Sequence, residues 1–205
     1  MRNNAGLTCE MPSRRYTKVV RAQAEERTRA ALLDAGTEAF FSQPWEQVTL
    51  SSVAARAGVT KQTLLRHFGS KEGLLEQGVQ RAFDQVRAQR MSAPTGDIEG
   101  AVDNLLDHYE QHGERALRIA AMDGGGPIAE IGMRARQFHY DWVEHAFGAW
   151  LDSARGKRRE RLHGALIALC DVQTWRILAR DRGLPRAEVR ATLVLAIRRL
   201  VGEDG

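Results

Sequence analysis

Between Thr49 and Phe68 the chain sets two short apolar-periodic stretches around the turn Gly58-Val59-Thr60. That spacing leaves room for little but a pair of crossed helices. Thr49 stands where it can cap a first helix carrying Leu50, Val53, Ala54 and Ala57. Gly58 breaks that helix, and Thr60 can cap a second. Val53, Ala54, Ala57, Val59, Leu64 and Phe68 then supply a small core, which leaves Lys61, Gln62, Thr63 and Arg66 facing outward. The pattern is a helix-turn-helix, a motif whose second helix lies in the major groove of DNA. The outward residues suit base reading: Gln pairs with adenine, Arg with guanine, and Thr touches a base edge or a thymine methyl.

Charge points the same way. Residues 1–72 carry 11 Lys+Arg against 7 Asp+Glu, which accounts for the whole formal excess of +4. The remaining residues are balanced, so a polyanionic partner is expected for the first third alone.

The rest of the chain punctuates as helices. Apolar residues recur at helical spacing from Glu25 to Ser42, where Pro44 stops them. Ser70 opens a longer helix with Leu75, Val79, Phe83 and Val86 on one stripe. The segment "SAPTGD", Ser92–Asp97, is the strongest break in the chain. A helix from Ile98 to about Met122, interrupted near Gly113, ends at "DGGGP". The next runs from Pro127 to about Ala154 with two apolar seams, as a helix sandwiched between neighbours would show. Two more follow over Lys157–Arg182 and Arg186–Val201. With no alternating strand pattern and no hairpin signal, the expected fold class is all-α.

Arg27–Leu75 resembles the N-terminal DNA-binding domain of the TetR family of transcriptional repressors. The likeness rests on Phe40, Thr49, Ala57-Gly58-Val59-Thr60, Thr63-Leu64, His67-Phe68 and Ser70-Lys71-Glu72. It implies that Thr49, Thr60, His67 and Lys71 contact phosphates, and that Lys61, Gln62, Thr63 and Arg66 form the recognition surface. Two positions depart from the family pattern. Leu65 replaces a Tyr that commonly holds a phosphate, so one backbone anchor is missing. Pro44 stands where Gly is common, which affects only the turn.

The resemblance also implies a C-terminal body that binds a small effector and pairs two subunits through its last helices. The expected organisation is a flexible basic arm over 1–22, a helix-turn-helix domain over 23–72, and an effector-binding and dimerisation domain over 73–205. The arm's "SRRYTKVVRAQ" reads either as a reach into the minor groove or backbone or as a solvating tail. Leu162, Leu166, Leu169, Val172 and Ile177, with Val189, Leu193, Ile197 and Leu200, would form an antiparallel pair and a homodimer through residues 158–201. His108, Tyr109, Phe138, His139, Trp142 and Trp175 either line a cavity or are core.

The expected partners are therefore a near-palindromic double-stranded operator, a second copy of the chain, and an apolar or aromatic effector. The alternative is a DNA-binding protein of the same fold regulated by a protein partner. No catalytic constellation, metal-ligand spacing or cofactor motif appears, and "DGGGP" lacks the Gly-Lys-Ser/Thr of a phosphate loop. No signal peptide or membrane span is read. With Cys9 and Cys170 in unrelated contexts, the expected setting is the cytoplasm with reduced thiols.

Overall fold

The computed structural model describes residues 14–121 and 127–202. Cys9 and most of the "DGGGP" break lie outside them. The elements are α1 (Arg14–Ser42), a 3-10 turn (Trp45–Gln47), α2 (Leu50–Arg56), α3 (Lys61–Phe68), α4 (Lys71–Arg90), α5 (Ile98–Ala120), α6 (Pro127–Ser153), α7 (Gly156–Leu169), α8 (Val172–Trp175) with a π-helical continuation (Arg176–Asp181), and α9 (Arg186–Val201). No strand occurs among the described residues. The chain divides into two compact units, Met1–Val79 and Gln80–Gly205, so the division falls inside α4 rather than after residue 72.

In the first unit, Leu32, Leu33, Val53, Ala54, Leu64 and Leu74 form the centre of one apolar cluster. Ala57 and Val59 pack on its edge, as the spacing had suggested. α1 starts at Arg14, not near Glu25, so residues 14–22 are helical rather than a flexible arm. No Gly or Pro interrupts that stretch, and the helix grows backward into it. The Arg56–Glu38 ion pair (2.9 Å) ties α2 to α1, and Arg29 donates to Gln77 Oε1 (2.6 Å) across to α4.

In the second unit, α5 packs against α6, α8 and α9, and α7 against α6 and α9. Trp142, Phe147, Leu105, Leu106, Leu151 and Leu166 are sealed from solvent. Burial of each such side chain contributes roughly 1.5–3 kcal/mol. α6 is sandwiched as its two seams implied: Trp142 and Ala146 are buried on one, Val143 and Phe147 on the other.

Gly113 does not interrupt α5, which runs unbroken to Ala120. The glycine serves packing instead. A Cβ there would lie 2.4 Å from the Trp175 ring, so only glycine lets α8 seat its indole on α5. The expected Lys157–Arg182 helix is divided at Cys170–Asp171, where the Asp171 carboxylate caps α8 by accepting from the Gln173 N–H (2.8 Å).

A ladder of ion pairs fixes α9 along α5. Arg186 bonds Asp107 (2.6 Å) and Glu110. Arg190 grips Asp103 with two bonds (2.8 and 3.1 Å), and Arg198 meets Glu99. The acids are on α5 and the bases on α9 throughout.

The apolar seam assigned to subunit pairing is used within the chain. Leu166, Val172, Val189, Leu193 and Ile197 all belong to this unit's core. The exposed apolar side chains of the last helices are Ile177 (48%), Leu195 (60%) and Leu200 (40%). A heptad-like seam marks a face that must be covered, and here α5 and α6 cover it.

Candidate functional site

The outward face of α3 is built by caps. The Thr49 hydroxyl accepts the Ser52 N–H (3.1 Å), and the Thr60 hydroxyl accepts the Thr63 N–H (3.1 Å). These bonds start α2 and α3 at the two threonines. Between the helices Gly58 takes φ +70°, and at the end of α3 Gly69 takes φ +74°. The Ser70 hydroxyl then accepts the Gly73 N–H (3.0 Å) as α4 begins.

Leu64 and Phe68 anchor α3 in the core, and Lys61, Gln62 and Arg66 are exposed on its other side. Thr63 is half-buried, with its hydroxyl 3.0 Å from that of Thr60. The surface that α3 offers freely is thus one amide and two cations, donors and acceptors suited to base edges and phosphates. Leu65 is half-buried beside them. His67 is also half-buried, and its Nε2 has no hydrogen-bond partner among the described residues.

Lys71 is not free. Its Nζ donates to the Trp45 carbonyl (2.5 Å) and sits 4.5 Å from the centre of the Trp45 ring. The side chain pins the 3-10 turn to the start of α4, which sequence spacing cannot foresee because Trp45 is 26 positions away.

In the second unit, the six aromatic and histidine candidates separate. Tyr109, Trp142 and Trp175 are core, while Phe138 and His139 are half-buried. The polar ends of two of them are consumed internally: Tyr109 Oη donates to the Cys170 carbonyl (2.8 Å), and Trp142 Nε1 donates to the Arg90 carbonyl (3.0 Å). Trp175 borders a cleft of roughly 140 Å³ with Leu106, Ala179, Leu184, Val189 and the charged side chains of Glu110, Arg180 and Arg186. That is smaller than the usual drug-sized pocket of about 300–1,000 Å³.

His108 and His139 do come together, about a residue missing from the sequence-based set. Arg90 is 3% exposed, and its guanidinium lies 4.1 Å from the Trp142 ring centre and 5.7 Å from that of Tyr109. No carboxylate pairs with it among the described residues, and its Nε and Nη2 have no hydrogen-bond partner there. Burial pulls its pKa down, against the pull of the Tyr109 hydroxyl. Burial and the Arg90 charge together push His108 down to about 3. His139 is lowered chiefly by burial, with its bond to Ile167 pulling back. Cys170, the buried free thiol, is raised to about 12 by burial.

A signal for Arg90 was present. It continues the Leu75, Val79, Phe83, Val86 stripe of α4 by one further turn, so it falls on the apolar side of its helix. Among the described residues no three His, Cys, Asp or Glu side chains could hold a metal ion, and no helix is long and apolar enough to cross a membrane.

Residues 32–77 match the family model described as bacterial regulatory proteins, tetR family. The HTH-type transcriptional regulator AlkX of Mycobacterium tuberculosis is 35% identical over 79 residues, covering 37% of each chain. The HTH-type transcriptional repressor SCO4008 of Streptomyces coelicolor is 30% identical over 122 residues, 58% of this chain and 62% of that one. The matches thus span less than two thirds of those curated relatives, 37% of one and 62% of the other.

Among solved structures, a tetR-family transcriptional regulator from Streptomyces coelicolor aligns with a TM-score of 0.61 at 21% identity, over 88% of this chain and 90% of that one. A second likeness is to a putative tetR family transcription regulator from Shewanella sp. PV-4. It has a TM-score of 0.54 at 18% identity, over 83% and 95% of the two chains. At these identities the likeness is one of fold.

Proposed function

Because the chain belongs through its N-terminal domain to the tetR family of bacterial regulatory proteins, we propose that it is a homodimeric, effector-responsive transcriptional repressor. The observation that carries this reading is the α3 surface. Lys61, Gln62 and Arg66 are exposed on a helix whose start, end and back are all fixed. Such rigidity spares the ordering entropy that flexible readers lose on binding. Thr49, Thr60, Thr63 and His67 flank this surface and are assigned to backbone contacts. Lys71 is assigned to holding the turn rather than a phosphate.

One such head makes too few contacts for a specific site, so two copies bind a near-palindrome. Its half-site centres lie about one helical turn, or a multiple, apart. Pairing within residues 158–201 falls to surfaces the core leaves over. Leu195 and Leu200 of α9 are exposed, and Gly164 and Ala168 on α7 are exposed and small, which suits close helix approach.

An effector in the second unit acts through α4, which contributes Lys71–Val79 to one unit and Gln80–Arg90 to the other. The effector must bind the non-DNA conformer more tightly, and typical coupling of about 1–3 kcal/mol lowers operator affinity about 5- to 150-fold.

The test is selection of duplexes from a random pool by the purified protein, followed by affinity measurements on the enriched site. Gln62→Ala and Arg66→Ala should each cost about 1–3 kcal/mol there and relax discrimination at one base pair. Failure to enrich any sequence, or equal losses on enriched and random DNA, refutes the reading.

A further inference from the structure

Arg90 poses an electrostatic problem that the described residues do not solve by themselves. A guanidinium remains charged at neutral pH, and a buried charge without a partner costs several kcal/mol. Here the guanidinium is enclosed by Trp142 and Tyr109; the Tyr109 hydroxyl gives it a neutral hydrogen-bond partner, and no carboxylate among the described residues pairs with it. Two of its nitrogens, Nε and Nη2, are without a hydrogen-bond partner among the described residues. That edge is the fork that matches a carboxylate with two parallel bonds.

The histidines nearby carry further information. His139 Nε2 lies 3.0 Å from the Ile167 carbonyl, an acceptor, so Nε2 carries the ring proton. Its Nδ1 is then a lone pair, buried and without a partner among the described residues. A lone pair there is met only by a donor. His139 also stacks on Trp142, with centres 6.4 Å apart and planes 14° from parallel. Arg90 and His139 thus address the same indole, one requiring an anion and the other a hydrogen-bond donor. The side chains around the two groups are flat: Trp142, Tyr109 and the imidazoles of His108 and His139, which match the faces of a planar molecule.

We propose that the interior of the second unit binds an aromatic carboxylate carrying a hydroxyl or N–H donor, with its carboxylate on Arg90 and its donor on His139 Nδ1. The proposal rests on the effector-responsive reading and gives it a chemical class. The earlier expectation of an apolar or aromatic effector is thereby narrowed to an acid. His108, whose Nδ1 is also unpartnered among the described residues, lies beside the same charge.

The experiment uses the full-length protein and calorimetric titration with benzoate, 3- and 4-hydroxybenzoate, salicylate and methyl 4-hydroxybenzoate. At least one hydroxybenzoate should bind tenfold or more tightly than its methyl ester, and more tightly than benzoate. Arg90→Met should erase the preference for acid over ester. His139→Phe should erase the preference for hydroxybenzoate over benzoate while leaving acid over ester intact. Should either variant fail to fold, the acid-to-ester ratio of the wild type still decides the matter. An ester that binds as well as its acid, or no measurable binding of any acid at 10 mM, overturns the proposal. Operator binding is measured in parallel. Acids that bind without changing operator affinity uphold the site and overturn the effector reading, whereas intact operator binding with no acid bound overturns the site alone.

Discussion

Replacing Arg90 by Met should make the unliganded protein more stable. The substitution removes a charge buried to 97% and keeps an unbranched chain of similar reach, whose sulfur is well suited to contact Trp142 and Tyr109. What is lost is attraction of the guanidinium to two rings at 4.1 and 5.7 Å, about 1–2 kcal/mol each when desolvated, and a hydrogen bond to the Tyr109 hydroxyl, about 0.5–1.5 kcal/mol. What is removed is the cost of an enclosed, unpaired cation, several kcal/mol after relaxation. Sulfur–aromatic contacts return about 0.3–1.5 kcal/mol. The net expectation is a gain of about 1–4 kcal/mol, the range found when a buried ion pair is replaced by well-packed apolar side chains. For a unit of this size that raises the melting temperature by about 3–4 °C per kcal/mol. Urea denaturation at pH 7 of wild type and variant, without added ligand, measures it directly. A loss of 1 kcal/mol or more would refute the reasoning, because Arg90 would then be holding the fold together rather than awaiting an anion.

Other expectations follow from the same geometry. Lys71→Met should destabilise the first unit by about 1–3 kcal/mol, through the lost bond to the Trp45 carbonyl and the ring beneath it; unchanged stability with a salt slope of DNA binding reduced by about 1 would instead make Lys71 a phosphate contact. Leu195→Glu should leave a folded monomer by sedimentation and circular dichroism, whereas Leu193→Glu, in the core, should unfold the second unit; a folded dimer of the Leu195 variant would remove that face from the interface. His108 is neutral in the fold with a pKa near 3, beside Arg90, His112 and His139, and the unfolded chain takes up a proton near pH 6.5. Its contribution is therefore full above that pH and is lost as pH falls toward 3, by about 1.4 kcal/mol per unit. Between pH 6.5 and 5 the wild type should lose about 2 kcal/mol more than His108→Gln in urea titrations, and equal losses would exclude the linkage.

The helix-turn-helix could be read from the sequence because its determinants are local. Thr49, Thr60, Gly58 and Gly69 each act within three or four positions, and a cap or a left-handed turn is written into residue type. The second unit was less readable, since its determinants join distant positions. The seam of Leu166, Leu193 and Ile197 was expected at the subunit interface and instead lies in the core of its own unit, because residue spacing cannot say whether the cover comes from the same chain. Gly113 looked like a break because the indole that needs its missing Cβ lies on α8. Arg90 has no role in the reading of the sequence. Only its place on the apolar stripe distinguishes it from Arg87, one turn earlier on an exposed side.

The ladder between α5 and α9 has a consequence for how this chain can change over generations. Glu99 and Arg198 are 99 positions apart, and Asp103 and Arg190 are 87 apart, yet neither partner is independent. With every acid on one helix and every base on the other, a lone reversal sets like charges face to face and repels the neighbouring rungs as well. Two reversals on the same rung restore attraction. Divergence along these helices is therefore correlated, and paired substitutions at distant positions are the heritable trace of α9 lying along α5.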